Sequence, residues 1–136
     1  MGDNWREKMI LITGGAYHGK RNYAKQMYPG IDFVDGISCA EETIFACQGM
    51  DHFHSYIENR MREGKKLTEF LAMVEKLARE NPEIVLITDE IGYGIVPSDA
   101  FYREYRETHG RVCTQIAAEA KEVHRVICGI GTVIKG

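Results

Sequence analysis

Apolar and polar positions change period several times along this chain. Met9-Ile10-Leu11-Ile12-Thr13 is a short apolar run ending in Gly14-Gly15, which predicts a buried strand feeding a tight turn. After Gly19-Lys20 a modest helical stretch extends to about Tyr28 and is stopped by Pro29-Gly30. Ile31 to Asp35 predicts a second short strand, closed by Gly36, and Ala40 to Arg62 reads as an uneven helix with a break at Gly49 and an end near Gly64. Leu67, Phe70, Leu71, Val74, Leu77 and Ala78 fall on one helical stripe, ended by Asn81-Pro82 because the residue before proline avoids the helical region. Glu83-Ile84-Val85-Leu86-Ile87-Thr88 is the clearest strand, followed by a glycine-rich loop from Asp89 to Pro97. Ser98 then caps a long helix with apolar face Phe101, Tyr102, Tyr105, Val112, Ile116 and Ala120, with Gly110 inside it as the expected site of a bend. Val123 to Cys128 predicts a further strand and Thr132 to Lys135 a final edge strand.

Strands alternating with helices argue for an α/β domain, a mostly parallel sheet with helices on both faces in three layers. At 136 residues, 1–136 is expected to form one domain. Ligands of such sheets sit at the carboxyl ends of the strands, where Gly14 to Lys20, Asp35-Gly36 and Asp89 to Pro97 are expected to converge. A formal net charge of -3 lacks the basic footprint of a nucleic-acid binder. The apolar runs fall far short of the roughly 20 residues of a membrane span. No apolar h-region follows the polar start, and Arg6 stands where a myristoylation signal takes Ser or Thr, so a cytoplasmic location is expected. Cys39, Cys47, Cys113 and Cys128 form no CxxC and read as free thiols of a reducing compartment.

Gly14-Gly15-Ala16-Tyr17-His18-Gly19-Lys20 matches G-x-x-x-x-G-K and lies between a strand and a helix, as a phosphate loop requires. Glycines let the chain curl so that successive N–H groups and the helix N-terminus aim at one anion, while the lysine reaches the terminal phosphates. Position 21 of the motif takes Ser or Thr, whose hydroxyl ligates Mg²⁺; here it is Arg21, a guanidinium that ligates no metal and can neutralise phosphate oxygens itself. Asp35, at a strand end, is then the carboxylate expected to hold Mg²⁺ through water. Glu90 or Asp89 is the expected general base.

The block Ile87-Thr88-Asp89-Glu90-Ile91-Gly92-Tyr93-Gly94-Ile95-Val96-Pro97 closely resembles the T-N-E-V-G-x-G-I-V-P block of the adenosylcobinamide kinase/adenosylcobinamide-phosphate guanylyltransferase family. The likeness continues through Tyr105-Arg106-Glu107, Gly110-Arg111-Val112 and Ile116 to Val123 and ends at Gly129-Ile130 and Lys135, and the opening Ile10 to Ala16 with Gly19-Lys20 resembles that family's start. The resemblance implies a RecA-like P-loop fold, phosphorylation of adenosylcobinamide by GTP or ATP, GMP transfer through a guanylyl-histidine, and assembly as trimers. The sequence departs from the family in three places. His18 and Arg21 replace Ser in the loop, and Cys113-Thr114 replaces Asn-Gln. Only Arg21 to Val34 separate Lys20 from Asp35, where the family carries a longer segment containing its guanylylated histidine.

A shortened, diverged member is therefore expected, one that binds a nucleoside triphosphate and a cobinamide-type substrate and forms no guanylyl-histidine. In that reading Lys20, Asp35 and Glu90 carry catalysis, and Gly14, Gly15, Ala16, Tyr17, His18, Gly19, Lys20 and Arg21 bind the nucleotide. The alternative is a non-catalytic nucleotide- or phosphate-binding regulatory or assembly protein, favoured by Arg21. His52 and His54 lie two apart in a presumed helix and are expected to face different sides, with Asp51 an acidic first-turn residue. His109 and His124 carry no signal in the sequence.

Overall fold

Each strand sorts its side chains between two faces of one sheet, and that sorting builds two cores. The structure is a computed structural model that describes residues 8–91 and 99–136. Its elements are β1 (Ile10–Gly14), α1 (Lys20–Met27), β2 (Phe33–Asp35), a 3₁₀ turn (Glu41–Phe45), β3 (Gly49–Asp51), α2 (Phe53–Arg62), α3 (Leu67–Glu80), β4 (Val85–Asp89), α4 (Ala100–Glu119), β5 (Glu122–Ile127) and β6 (Ile130–Lys135). The sheet order is β2-β3-β4-β1-β5-β6, parallel from β2 through β5 with β6 antiparallel at the edge. This is the α/β fold with a mostly parallel sheet that the alternation predicts.

Leu11, Met50, Leu86 and Val123 point to one face, against Phe53, Tyr56 and Ile57 of α2, Phe70, Val74 and Leu77 of α3, and Val112 and Ile116 of α4. Ile10, Ile12, Val85, Ile87 and Val126 point to the other, where Ala24 of α1 covers them. The one-residue offset between neighbours is the period-two pleat at work. Because β1 is flanked by β4 and β5, and α1 covers its second face, the loop after β1 emerges at the centre of the carboxyl edge, where a ligand crevice forms.

Two boundaries depart from expectation. The stretch from Ala40 to Arg62 is not a helix with a break but a 3₁₀ turn, the strand β3 and α2. A three-residue strand fixed by parallel pairing to β2 and β4 leaves no apolar run to read. At α4 the cap is Asp99, whose Oδ1 accepts from the Phe101 and Tyr102 N–H groups at 2.8 and 3.4 Å; Ser98 lies outside the described residues. Gly110 does not interrupt α4.

Candidate functional site

β1 ends in a loop that winds through positive φ at Tyr17 (63°) and Gly19 (84°) before α1 begins at Lys20. Gly19 takes the left-handed turn without penalty, and Tyr17, fully exposed, takes it with a side chain held out in solvent. No side chain caps α1 and its first turn holds no acidic residue, so its leading N–H groups and positive dipole end face the cleft unneutralised by a cap. Lys20 is buried, yet its ammonium is held by two partners: the Gly15 carbonyl at 2.8 Å and Asp89 Oδ1 at 2.7 Å. An ammonium carries three donors, which leaves one for an incoming anion.

Three neighbouring parallel strands each end in aspartate: Asp35 on β2, Asp51 on β3 and Asp89 on β4. Each is met by a cation or an imidazole. Asp89 faces Lys20 and His54, Asp51 lies 3.7 Å from Arg21, and Asp35 Oδ1 lies 3.0 Å from His52 Nδ1. Ala16, Tyr17, Lys20, Arg21, Ile37, Asp51, His52, His54, Ser55 and Asp89 line a cleft of about 390 Å³ at this edge.

His54 is fixed in both ring nitrogens. Its Nδ1 accepts the Asp89 backbone N–H at 3.0 Å, which puts the ring proton on Nε2, 3.4 Å from Asp89 Oδ2. Burial lowers its pKa and keeps the ring neutral. His52 enters α2 in the left-handed region, φ 56°, and its N–H donates to Asp51 Oδ1 at 2.8 Å. The Ile37 N–H, before the His52 contact, holds the Asp35 carboxyl below its ordinary range.

The structure therefore redistributes the expected site. Lys20, Arg21, Ala16, Tyr17 and Asp89 meet in the cleft. Glu90, expected as a base, points to β5 instead, where Arg125 Nε and Nη2 bind its two oxygens at 2.8 and 2.9 Å; only its backbone N–H returns to the Gly14 carbonyl. Asp35, expected to hold the metal, is half-exposed and turned to His52 and Ile37, outside the cleft lining. His18 packs its ring on Gly15, its Nδ1 is buried with no hydrogen-bond partner among the described residues, and it does not line the cleft. Asp51, His52 and His54 are the residues sequence reasoning missed. The usable signal was an apolar residue followed by aspartate, Met50-Asp51, the same ending as Val34-Asp35. Of the glycine-rich block after Asp89, Gly92 to Ser98 lie outside the described residues.

The family model for cobinamide kinase / cobinamide phosphate guanyltransferase matches residues 34–134, which takes in β3, β4 and β5 whole and all but one residue each of β2 and β6. The chain belongs to this family. Two relatives share the name bifunctional adenosylcobalamin biosynthesis protein CobU. The Escherichia coli K12 protein is 42% identical over 67 residues, 49% of this chain and 37% of the relative. The Salmonella typhimurium LT2 protein is 40% identical over 67 residues, with the same shares. The alignment thus spans little more than a third of either relative's length. The cobinamide kinase match begins at Val34, after the phosphate loop, so the loop rests on its own motif and on the placement of Lys20.

Behind the cleft, β4 also carries a buried polar contact that sequence gave no hint of. Thr88 Oγ1 lies 2.8 Å from His109 Nε2, and Cys113 Sγ lies 3.4 Å from the same nitrogen. Tyr105 donates to the His54 carbonyl at 2.8 Å. These contacts tie α4 to the strand end that presents Asp89 and to the first turn of α2. On the opposite face His124 is buried between Tyr23 and Tyr28, whose hydroxyls lie 2.6 and 3.2 Å from its ring nitrogens. Among the described residues no helix is long and apolar enough to cross a membrane.

Proposed function

We propose that residues 1–136 act as one nucleotide-binding domain that holds GTP or ATP in the cleft at Gly14 to Arg21 and passes its terminal phosphoryl group to a cobinamide-type substrate of cobalamin biosynthesis. The observation that carries this is Lys20: a buried ammonium at the mouth of an uncapped helix, already held toward the loop by Gly15 and Asp89. Phosphoryl transfer asks for little covalent chemistry from the protein and consists mainly of positioning and charge neutralisation. Lys20 and the loop N–H groups supply the neutralisation. Asp89, rather than the Arg125-bound Glu90, is the carboxylate at the cleft that can take the acceptor hydroxyl's proton once Lys20 turns to phosphate. The family's assembly into oligomers belongs to the same proposal.

Arg21 favours a second reading, a non-catalytic nucleotide-binding regulatory or assembly protein, because the loop hydroxyl that aligns phosphates for transfer is missing. The two part on one experiment. Incubation with γ-labelled ATP or GTP and adenosylcobinamide is expected to give labelled adenosylcobinamide phosphate. Nucleotide bound but never turned over would leave the binder.

A further inference from the structure

A divalent cation in a phosphate loop is gripped between the loop hydroxyl at position 21 and a strand-end carboxylate, and it bridges phosphate oxygens. The residues here do not fit that ion. Mg²⁺ demands oxygen ligands in near-octahedral array, and Arg21 offers only donors. The two strand-end carboxylates that line the cleft are both engaged, Asp89 by Lys20 and His54 and Asp51 by the His52 N–H and Arg21, while Asp35, held through Oδ1 by His52 and the Ile37 N–H, lies outside the cleft lining. Among the described residues no three of His, Cys, Asp and Glu are grouped to hold a metal.

We propose, resting on the nucleotide-binding reading, that the Arg21–Asp51 ion pair takes the place of the metal bridge, so that triphosphate is bound here without Mg²⁺. The geometry suits the exchange. Asp51 is almost buried on β3, fixed through Oδ1 by the His52 N–H at 2.8 Å, and presents Oδ2 to Arg21 at 3.7 Å. Arg21 follows Lys20 at the start of α1 with a side chain 53% exposed, so its guanidinium can turn from Asp51 to a phosphate oxygen while its backbone stays in place. A guanidinium meets phosphate with paired, charge-assisted hydrogen bonds, the neutralising task that the ion performs elsewhere. Asp51 then acts as the holder and the competitor of Arg21, not as a metal carboxylate.

That assignment gives Asp51 the opposite sign from the one a metal site would give it. Calorimetry of GTP and of ATP is run on the unaltered chain in EDTA and in MgCl₂. The affinities are expected to agree within about threefold. Arg21→Ser is expected to lose on the order of tenfold or more in EDTA and to regain part of it in MgCl₂, as Asp51 becomes open to the ion. Asp51→Asn is expected to bind as tightly as the parent or more tightly in EDTA, because Arg21 is released. An unaltered chain whose affinity collapses in EDTA would overturn the metal-free bridge while leaving nucleotide binding intact, and this arm needs no variant to fold. Weaker binding by a folded Asp51→Asn protein would overturn it too. No binding of either nucleotide in either buffer would remove the nucleotide-binding reading itself, and this inference with it.

Discussion

His109 is a buried imidazole with a hydroxyl and a thiol as its polar neighbours, and the attraction of the Asp89 carboxylate offsets only a small part of the desolvation of its charged form. Burial, with a smaller push from His54, lowers its pKa from 6.5 to about 4. The unfolded chain therefore binds a proton between those values that the folded chain refuses. Stability is complete above pH 6.5 and is lost as pH falls toward 4. Urea unfolding at pH 7 and pH 5 is expected to differ by about 2 kcal/mol from this group alone, with the burial-lowered His54 acting in the same direction. His109→Gln, which keeps a polar partner for Thr88, should flatten that slope; an unchanged slope would place the acid sensitivity elsewhere. None of this was legible in the sequence, where His109 is one polar residue in a mixed helix, because its burial comes from α4 lying across β4. His52 and His54 were misread for a related reason. Helix spacing was applied to both, yet His52 precedes α2 in the left-handed region, and their rings meet edge to face at 5.8 Å beside Asp89 and Asp35.

At the scale of elements, β2 and β3 are pressed together where their acids emerge. A Cβ on Gly36 would lie 2.4 Å from the His52 carbonyl and 3.0 Å from that of Asp51, and the Gly36 N–H donates to the Asp51 carbonyl at 2.8 Å. Gly36→Ala is expected to cost about 1–3 kcal/mol, as overpacking against backbone does, and to spread the strand ends that place Asp51 and His52. A thermal melt within about 1 °C of the parent would show that the contact yields freely. Gly36 was legible as a strand stop but not as a close contact, since β3 itself was hidden: three residues, no apolar run, and no Ser, Thr, Asp or Asn cap before α2. Between α1 and β2 there is only Tyr28 to Asp32, too little for the longer histidine-bearing segment that the resemblance implies. Labelled GTP is expected to leave no acid-labile GMP on histidine. Label appearing there would point to His52, since both nitrogens of His54 are engaged with Asp89.

Across the whole molecule the broad order was readable because each long element carries its own signal: apolar runs for β1 and β4, a stripe for α3, glycine and lysine at the β1–α1 turn. What was not readable is the lateral order of the strands. Placing β3 and β4 between β2 and β1 is what sets Asp51 and Asp89 beside the loop and leaves Asp35 on the flank. The account stands on phosphate being held where Lys20 meets the end of β4. Equilibrium binding of GTP and ATP to the parent and to Lys20→Ala measures that most directly. Loss of the charge-assisted contact is expected to weaken triphosphate binding by about 1.5–3 kcal/mol, or roughly ten- to a hundredfold. Equal affinities in the two proteins would contradict the site.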